Sequence, residues 1–282
     1  MAGDVTMRQS SRRAFLSAAT GCGLALSGCS TLSQSTSPPT DSAAPITALD
    51  VTSEAIAVEL GPDADVSELS LIGPDGEAVT SKTVTAGETR VTVPILDVSP
   101  GTAEYEHYTP GDHELVAIVN GEEFSQSLSL EPDIELVAVE QYRDGSSVQD
   151  YGRIMISLEN HGSGPTWAYD ITFDRAPNYS ANTELTENIG LPYTETLSDE
   201  ISVLIPPNDT RRYISQFAPL ILPEGEYDCD REVANFSMSV GIATGTVIDT
   251  SLSASLDGAK ETADISGGVV CDQVTVAQQE GK

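Results

Sequence analysis

From residue 47 onward the chain alternates apolar and polar positions in short runs of period two, and the 3.6-residue period of an amphipathic helix is scarce. Ser53–Leu60 (S-E-A-I-A-V-E-L), Ser67–Ile72, Thr89–Ile95, Leu115–Asn120 and Phe124–Leu130 read as strands, each with β-branched or apolar residues on one face or in a short buried run. Turn formers separate them: Gly61-Pro62-Asp63, Gly73-Pro74-Asp75-Gly76, Pro100-Gly101, Pro110-Gly111-Asp112 and Asn120-Gly121. Asn120-Gly121 is the strongest hairpin signal, because a tight type I′ turn needs two residues at positive φ. Roughly 85 residues in this stretch suffice for one seven-stranded sandwich. A second series follows at Ile134–Val139, Arg153–Glu159, Trp167–Phe173, Ile201–Ile205, Arg212–Phe217, Phe236–Ile242, Val247–Ala254 and Val269–Val276. The pattern predicts an all-β chain of two tandem antiparallel β-sandwiches, over 47–132 and 133–276, with a tail over 277–282.

Two stretches break the alternation. Residues 176–198, with Tyr179 and Tyr193 among Asn178, Asn182 and Asn188, form a polar insertion without clear periodicity. Long loops of this kind are functional or mobile, and this one is the first candidate for a partner surface, with disorder the favoured reading. Residues 30–46, rich in Ser, Thr and Pro, cannot bury a core and read as a disordered tether.

Ahead of that tether, Ser11-Arg12-Arg13-Ala14-Phe15-Leu16 resembles a twin-arginine export signal, and Leu26-Ser27-Gly28-Cys29 resembles a lipobox. The apolar stretch Ala14–Gly28 is too short, at about 1.5 Å per residue, to cross a hydrocarbon core of about 30 Å, so it reads as the core of a signal peptide spanning 1–28. Asp4 lies ahead of the arginines and leaves two candidate starts, Met1 and Met7. Resemblance to prokaryotic lipoproteins implies a two-chain lipid on Cys29, which heads a linker over 29–46. The expected location is the cell membrane, facing outward and held by that lipid.

Charge changes the picture of the solvent. The chain holds 13 Lys+Arg against 44 Asp+Glu, a formal net charge of −31. The acids run through the whole chain, and the self-repulsion they imply fades where the Debye length falls to about 3 Å, at molar salt. This composition resembles that of proteins of extremely halophilic archaea. Nucleic acid is disfavoured as a partner, since Arg211-Arg212 is the one basic pair beyond the signal segment. Alternation would put Glu224, Glu226, Asp228 and Asp230 on one strand face, either a calcium-binding cluster or, as the composition favours, a solvated acidic face. Asp63, Asp65 and Ser67 begin like a calcium loop, but Glu68 stands where an EF-hand needs Gly.

Templates for catalysis fail. G-x-S-x-G, C-x-x-C and the phosphate-binding G-x-x-x-x-G-K-[ST] are absent, and His113-Glu114 would begin H-E-x-x-H but for Ala117 at the second ligand position. His107 and His113 flank a turn and are expected to face solvent, with convergence on a metal as the rival; His161 sits in a turn. No catalytic, cofactor or metal residue is assigned. Cys22 leaves with the signal and Cys29 takes the lipid, so Cys229 and Cys271 are expected to form a disulfide outside the cell, with a two-cysteine metal site as the weak alternative. Three sequons, at Asn178, Asn208 and Asn235, are candidate glycosylation sites, with Asn178 expected to be the most accessible.

Ile156-Ser157-Leu158-Glu159-Asn160-His161-Gly162-Ser163-Gly164-Pro165 resembles the v-x-N-x-G-x-g-p strand-turn signature of CARDB-like sandwiches, immunoglobulin-like modules of prokaryotic surface proteins. Ile205-Pro206-Pro207-Asn208-Asp209-Thr210 is similar to their l-x-P-G-x-x turn, with Asn208 in place of the usual Gly, and Gly225-Glu226-Tyr227 to their returning strand. The resemblance implies immunoglobulin-like sandwiches and reports a fold more than an activity. Taken with the export signal, the lipobox and the tether, it leads to the expectation of a non-enzymatic surface role, in adhesion, envelope scaffolding or ligand capture, with a surface protein or glycan as partner. The alternative is an accessory or solute-binding subunit of a membrane transport or secretion complex.

Overall fold

The first sandwich is built from two antiparallel sheets, one ordered β1-β2-β5 and the other β4-β3-β6-β7. Its strands are β1 (Ile46–Val51), β2 (Ala55–Leu60), β3 (Val66–Ile72), β4 (Ala78–Thr83), β5 (Arg90–Pro94), β6 (Gly111–Val119) and β7 (Glu122–Leu130). Alternation decides which side chains meet between the sheets: Val91 and Val93 of β5, and Leu115 and Ala117 of β6, are buried while their neighbours point outward. Val66 and Leu69 both face inward although their spacing is odd, because a register shift between Val66 and Glu68 absorbs the extra residue. The β6–β7 turn is the expected one, with Asn120 at φ 52° and Gly121 at φ 84°, and Val119 opposite Glu122.

This computed structural model describes residues 44–96, 106–143, 150–189, 194–196, 203–262 and 268–279. Arg12, Arg13 and Cys29, and with them the signal segment and most of the tether, lie outside the described residues. The tether boundary nevertheless needs correction. Ile46 is buried at the start of β1, and the Pro45 carbonyl accepts the N–H of Gly61, so the fold begins before residue 47.

The second sandwich packs the sheet β11-β12-β9-β8 on the sheet β10-β13-β14-β15. It comprises β8 (Ile134–Gln141), β9 (Ile154–Asn160), β10 (Ala168–Asp174), β11 (Glu195–Thr196), β12 (Thr210–Ile214), β13 (Asp230–Ile242), β14 (Val247–Thr262) and β15 (Val269–Gln278). Ile156, Leu158, Phe173, Tyr213, Phe236 and Met238 are among its core, with the Phe173 and Phe236 rings edge to face at 6.1 Å. Of the segment expected as a strand over 201–205, Ile205 forms an isolated bridge with Thr166, while 201 and 202 lie outside the described residues. Arg212–Phe217 is a strand only to Ile214: the Ser215 hydroxyl then accepts the Ile154 N–H and donates to the Phe217 carbonyl, turning the chain. The C-terminal strand runs on to Gln278, into the segment expected as a tail.

Ser42–Lys282 forms one compact unit. The apolar core of the first sandwich continues into the second through Trp167, Tyr169, Leu204 and Ala243, all of them buried. The two sandwiches are therefore joined by packed side chains as well as by the link between β7 and β8.

Candidate functional site

The joint is organised by one buried amide. Asn160, at the end of β9, is fully buried, and its side chain uses every bonding direction. Oδ1 accepts the N–H of Asp133 at 3.1 Å and of Gly162 at 2.9 Å; Nδ2 donates to the carbonyls of Gly164 at 2.9 Å and Ile205 at 3.2 Å. Its own backbone pairs with the far turn, donating to the Asp209 carbonyl and accepting from the Asn208 N–H. Beside it the link between the sandwiches docks on the 161–163 turn: His161 N–H donates to the Asp133 carbonyl, and Ser163 N–H to that of Glu131.

Close approach explains the glycines of this turn. A Cβ on Gly162 would collide with the Glu131 carbonyl, and one on Gly164 with the Tyr108 hydroxyl. Neither residue has a positive φ, so the need is for space and not for unusual backbone geometry. Asn208 does hold a positive φ of 57°, the left-handed region that Gly tolerates best and Asn next best.

Segment 107–110 of the first sandwich closes the joint from the other side. Tyr108 is buried and its hydroxyl donates to the Pro165 carbonyl at 2.8 Å. Burial pushes its phenol far above the usual range. Nδ1 of His107 lies 2.6 Å from the Tyr108 carbonyl and Nε2 3.1 Å from the Thr166 hydroxyl. A carbonyl only accepts, so Nδ1 carries the proton and Nε2 takes one from Thr166. Burial also lowers the imidazole pKa, despite the backbone contacts that raise it, which favours the neutral ring. His107 packs on Tyr108 and Trp167, with ring centroids 4.3 and 5.2 Å apart.

These groups border a cleft of about 270 Å³ whose lining includes His107, Tyr108, Trp167, Ile189, Ala243 and Thr244. Trp167 precedes β10; Ala243 and Thr244 belong to the β13–β14 turn, where the Trp167 carbonyl accepts the Ala243 N–H at 3.0 Å. Ile189 comes from the long insertion. In its described part that insertion is pinned to β10: Asn182 bridges Phe173, Asn182 Oδ1 accepts the Ala176 N–H, and Thr186 N–H donates to the buried Asp170 carboxylate at 3.0 Å. Desolvation raises the Asp170 pKa, although the backbone N–H groups of Thr186 and Ile171 lower it. Residues 190–193 and 197–198, Tyr193 included, lie outside the described residues.

Several expected site residues land elsewhere. Cys229 and Cys271 are joined in a disulfide with Cα atoms 5.6 Å apart, tying the start of β13 to β15. His113 is buried on β6 with Nδ1 against the Gly111 carbonyl, and His107 is half-buried, so neither faces solvent as expected. His161 lies outside, 3.2 Å from Glu135 and 3.7 Å from Glu159. Glu224, Glu226, Asp228 and Asp230 do not share a strand face: Gly225, at φ 83°, turns the chain, Glu226 accepts the Tyr179 hydroxyl, Asp228 pairs with Lys260 at 3.0 Å, and β13 begins only at Asp230. Among the described residues no group of three or more His, Cys, Asp or Glu is placed to hold a metal. Asn178, expected to be the most accessible sequon, is half-buried, its amide donating to the Ala218 carbonyl and accepting from Ser180. Asn208 and Asn235 are exposed, the latter accepting from Gln279. Asn160 stood in the sequence as the Asn of the v-x-N-x-G-x-g-p turn, without a role; Tyr108, Trp167 and Asp170 were not marked, and the one available signal for them was a lone tryptophan next to that turn.

No protein-family model and no curated protein matches the chain. Among solved structures it is similar to one described as "The structure of a beta-glucuronidase from glycoside hydrolase family 2", at 10% identity and a TM-score of 0.22. The alignment covers 78% of this chain and 20% of that one, so the chain spans about a fifth of the length of the protein it matches.

Proposed function

We propose that this chain is a non-enzymatic, lipid-anchored protein of the cell surface, exported through its twin-arginine signal and held by Cys29. Its two sandwiches present a rigid binding surface in molar salt. The observation that carries the reading is the continuous core at the joint: a shared apolar seam through Trp167 and Tyr169 fixes one sandwich on the other, as a module that bears load or holds a ligand requires. The Cys229–Cys271 disulfide supports an oxidising compartment.

The test is fractionation of the native chain and of Cys29→Ser in a halophilic host, with intact mass measured before and after reduction. The expected result is a native chain in the membrane fraction whose mass begins at a lipidated Cys29, and a Cys29→Ser chain that is released or left as precursor. A normally processed, membrane-bound Cys29→Ser chain overturns the anchor, and replacing Arg12 and Arg13 with lysine is expected to block export.

A further inference from the structure

We propose that β7 is a docking edge for a second copy of this chain, the two β7 strands pairing antiparallel about a two-fold axis at Gln126. The inference goes beyond the surface role proposed above and does not depend on the lipid anchor.

β7 is the last strand of the sheet β4-β3-β6-β7, and among the described residues no strand pairs with its outer side. An open sheet edge is a template for another strand, and proteins protect it by shortness, a bulge, a charge, a proline or a cover. Every other edge strand of the described sheets has such protection. β11 has two residues, β5 has five and ends at Pro94, and β4 carries Lys82. The registers of β1 and β8 shift, while Asn182 bridges β10 at Phe173 and Leu222 bridges β15 at Val269. β7 keeps nine residues in unbroken register with β6. From Phe124 to Leu130 it has no charged residue, in a chain with 44 acids, and Glu122 to Ser127 are all exposed.

The hairpin fixes which backbone groups face outward. Val119 and Glu122 flank a two-residue turn and so form a hydrogen-bonded pair of the ladder. Every second position from Glu122 to Leu130 therefore bonds to β6, and Glu123, Ser125, Ser127 and Ser129 aim their N–H and C=O groups away from it. Glu131, next in that series, is already held by the second sandwich: its N–H donates to the Ser163 hydroxyl at 3.1 Å and its carbonyl accepts the Ser163 N–H. The open edge thus runs from Glu123 to Ser129.

Its sequence selects the occupant. A two-fold contact must be complementary to itself, and Phe124-Ser125-Gln126-Ser127-Leu128 has the same classes in both directions: apolar, Ser, Gln, Ser, apolar. The two-fold register centred on Gln126 engages all four outward positions, Glu123 with Ser129 and Ser125 with Ser127 of the second copy. It also sets Phe124 beside Leu128 of the second copy. A cleft of about 300 Å³, lined by Phe124, Gln126, Ala44, Pro45 and Ile46, gives that leucine a pocket next to the paired backbone. Glu122 and Glu123 fall opposite Leu130 and Ser129, so no like charges are opposed across the pair.

In this register Gln126 meets its own copy at a position without hydrogen bonds across the new edge, where Cα atoms lie about 4.5 Å apart, within reach of a disulfide. Gln126→Cys, treated with copper–phenanthroline in cell envelopes and again after purification of the full chain, is expected to give a reducible species of twice the chain mass. Glu122→Cys is the control, since its two copies lie about 27 Å apart along the strands, and its yield is expected to be at least about tenfold lower. The parent chain, purified in molar salt and detergent, is expected to sediment as a dimer with a Kd below about 100 μM. Ser127→Pro removes an outward N–H and spares the bonds to β6, as prolines on edge strands do, and Gln126→Lys opposes two ammonium groups on the axis. Both are expected to sediment as monomers with the parent's melting transition.

Three results overturn the proposal. They are a monomeric parent at about 100 μM with no Gln126→Cys dimer, a dimer that Ser127→Pro and Gln126→Lys both leave intact, and a Gln126→Cys cross-link to a different polypeptide in place of a second copy. Sedimentation reads β7 and fractionation reads Cys29, so either reading can fail while the other stands.

Discussion

The side-chain carbonyl of Asn160 accepts the backbone N–H of Asp133 at 3.1 Å, and through that bond a residue ending a strand of the second sandwich holds the segment that enters it from the first. The same side chain also satisfies Gly162, Gly164 and Ile205. Four backbone groups in a buried place thus depend on one amide, which neither a carboxylate nor an aliphatic side chain reproduces. Asn160→Ala is expected to destabilise the chain by about 3 kcal/mol or more, because it strands partners instead of removing a matched pair. Denaturant unfolding in molar salt measures it, and a loss below about 1 kcal/mol would mean that water replaces the amide.

Gly164 and Tyr108 make a second test of the joint, since a Cβ on the glycine would occupy the space of the phenol oxygen. Gly164→Ala is expected to be strongly destabilising, and Tyr108→Phe to cost about 1 kcal/mol for its lost bond to the Pro165 carbonyl. In the double variant the collision with the hydroxyl is gone, so its loss should be smaller than the sum of the two. A double-mutant cycle with zero coupling would show that the contact does not govern the joint.

What was legible in the sequence is what local chemistry determines. Asn120-Gly121 specified its turn because positive φ at two successive positions is a property of those residues alone. β4 escaped notice because it is an edge strand exposed almost throughout, and a strand with no buried face leaves no alternation to read. β1, with Ile46 its one buried residue, escaped for the same reason. Glu224–Asp230 misled in the opposite sense: the alternation is real, but Pro223 and Gly225 turn the backbone where the pattern asks for a strand. His113 follows the inward period of Leu115 and Ala117, and its polarity suggested solvent instead. The cleft was beyond reach, because His107, Trp167, Ile189 and Ala243 come from four separated segments that only the docking of the sandwiches assembles.

The disulfide closes a loop between positions 42 apart, and in the chain-entropy model it contributes roughly 4 kcal/mol by restricting the unfolded chain. Replacing both cysteines with serine should lower the denaturation midpoint accordingly. Because β15 is the edge strand of its sheet, the loss should appear first as hydrogen exchange in Val269–Gln278. Equal exchange across both sandwiches would instead mean that the whole unit opens as one.

Asp170 gives a prediction with a definite sign. Its carboxyl is buried on β10, and desolvation lifts its pKa above the ordinary carboxylate value even though the N–H groups of Thr186 and Ile171 pull it down. A raised folded-state pKa means that the folded chain binds this proton more tightly than the unfolded chain does. Its contribution to stability is therefore full below the unfolded value and is lost as pH rises through the folded one. Asp170→Asn keeps an acceptor for the Thr186 N–H but carries no charge, so the variant should be more stable than the parent at neutral pH, and the difference should shrink on acidification. Subtracting parent from variant cancels the titration of the many other acids, which act on both alike. Asp170→Ala removes the acceptor as well, and hydrogen exchange at the Thr186 amide should then rise while the β10 core stays protected. A variant Asp170→Asn that is less stable than the parent at neutral pH would show that the ionised carboxylate is what pins the insertion, and with it Ile189, over the cleft.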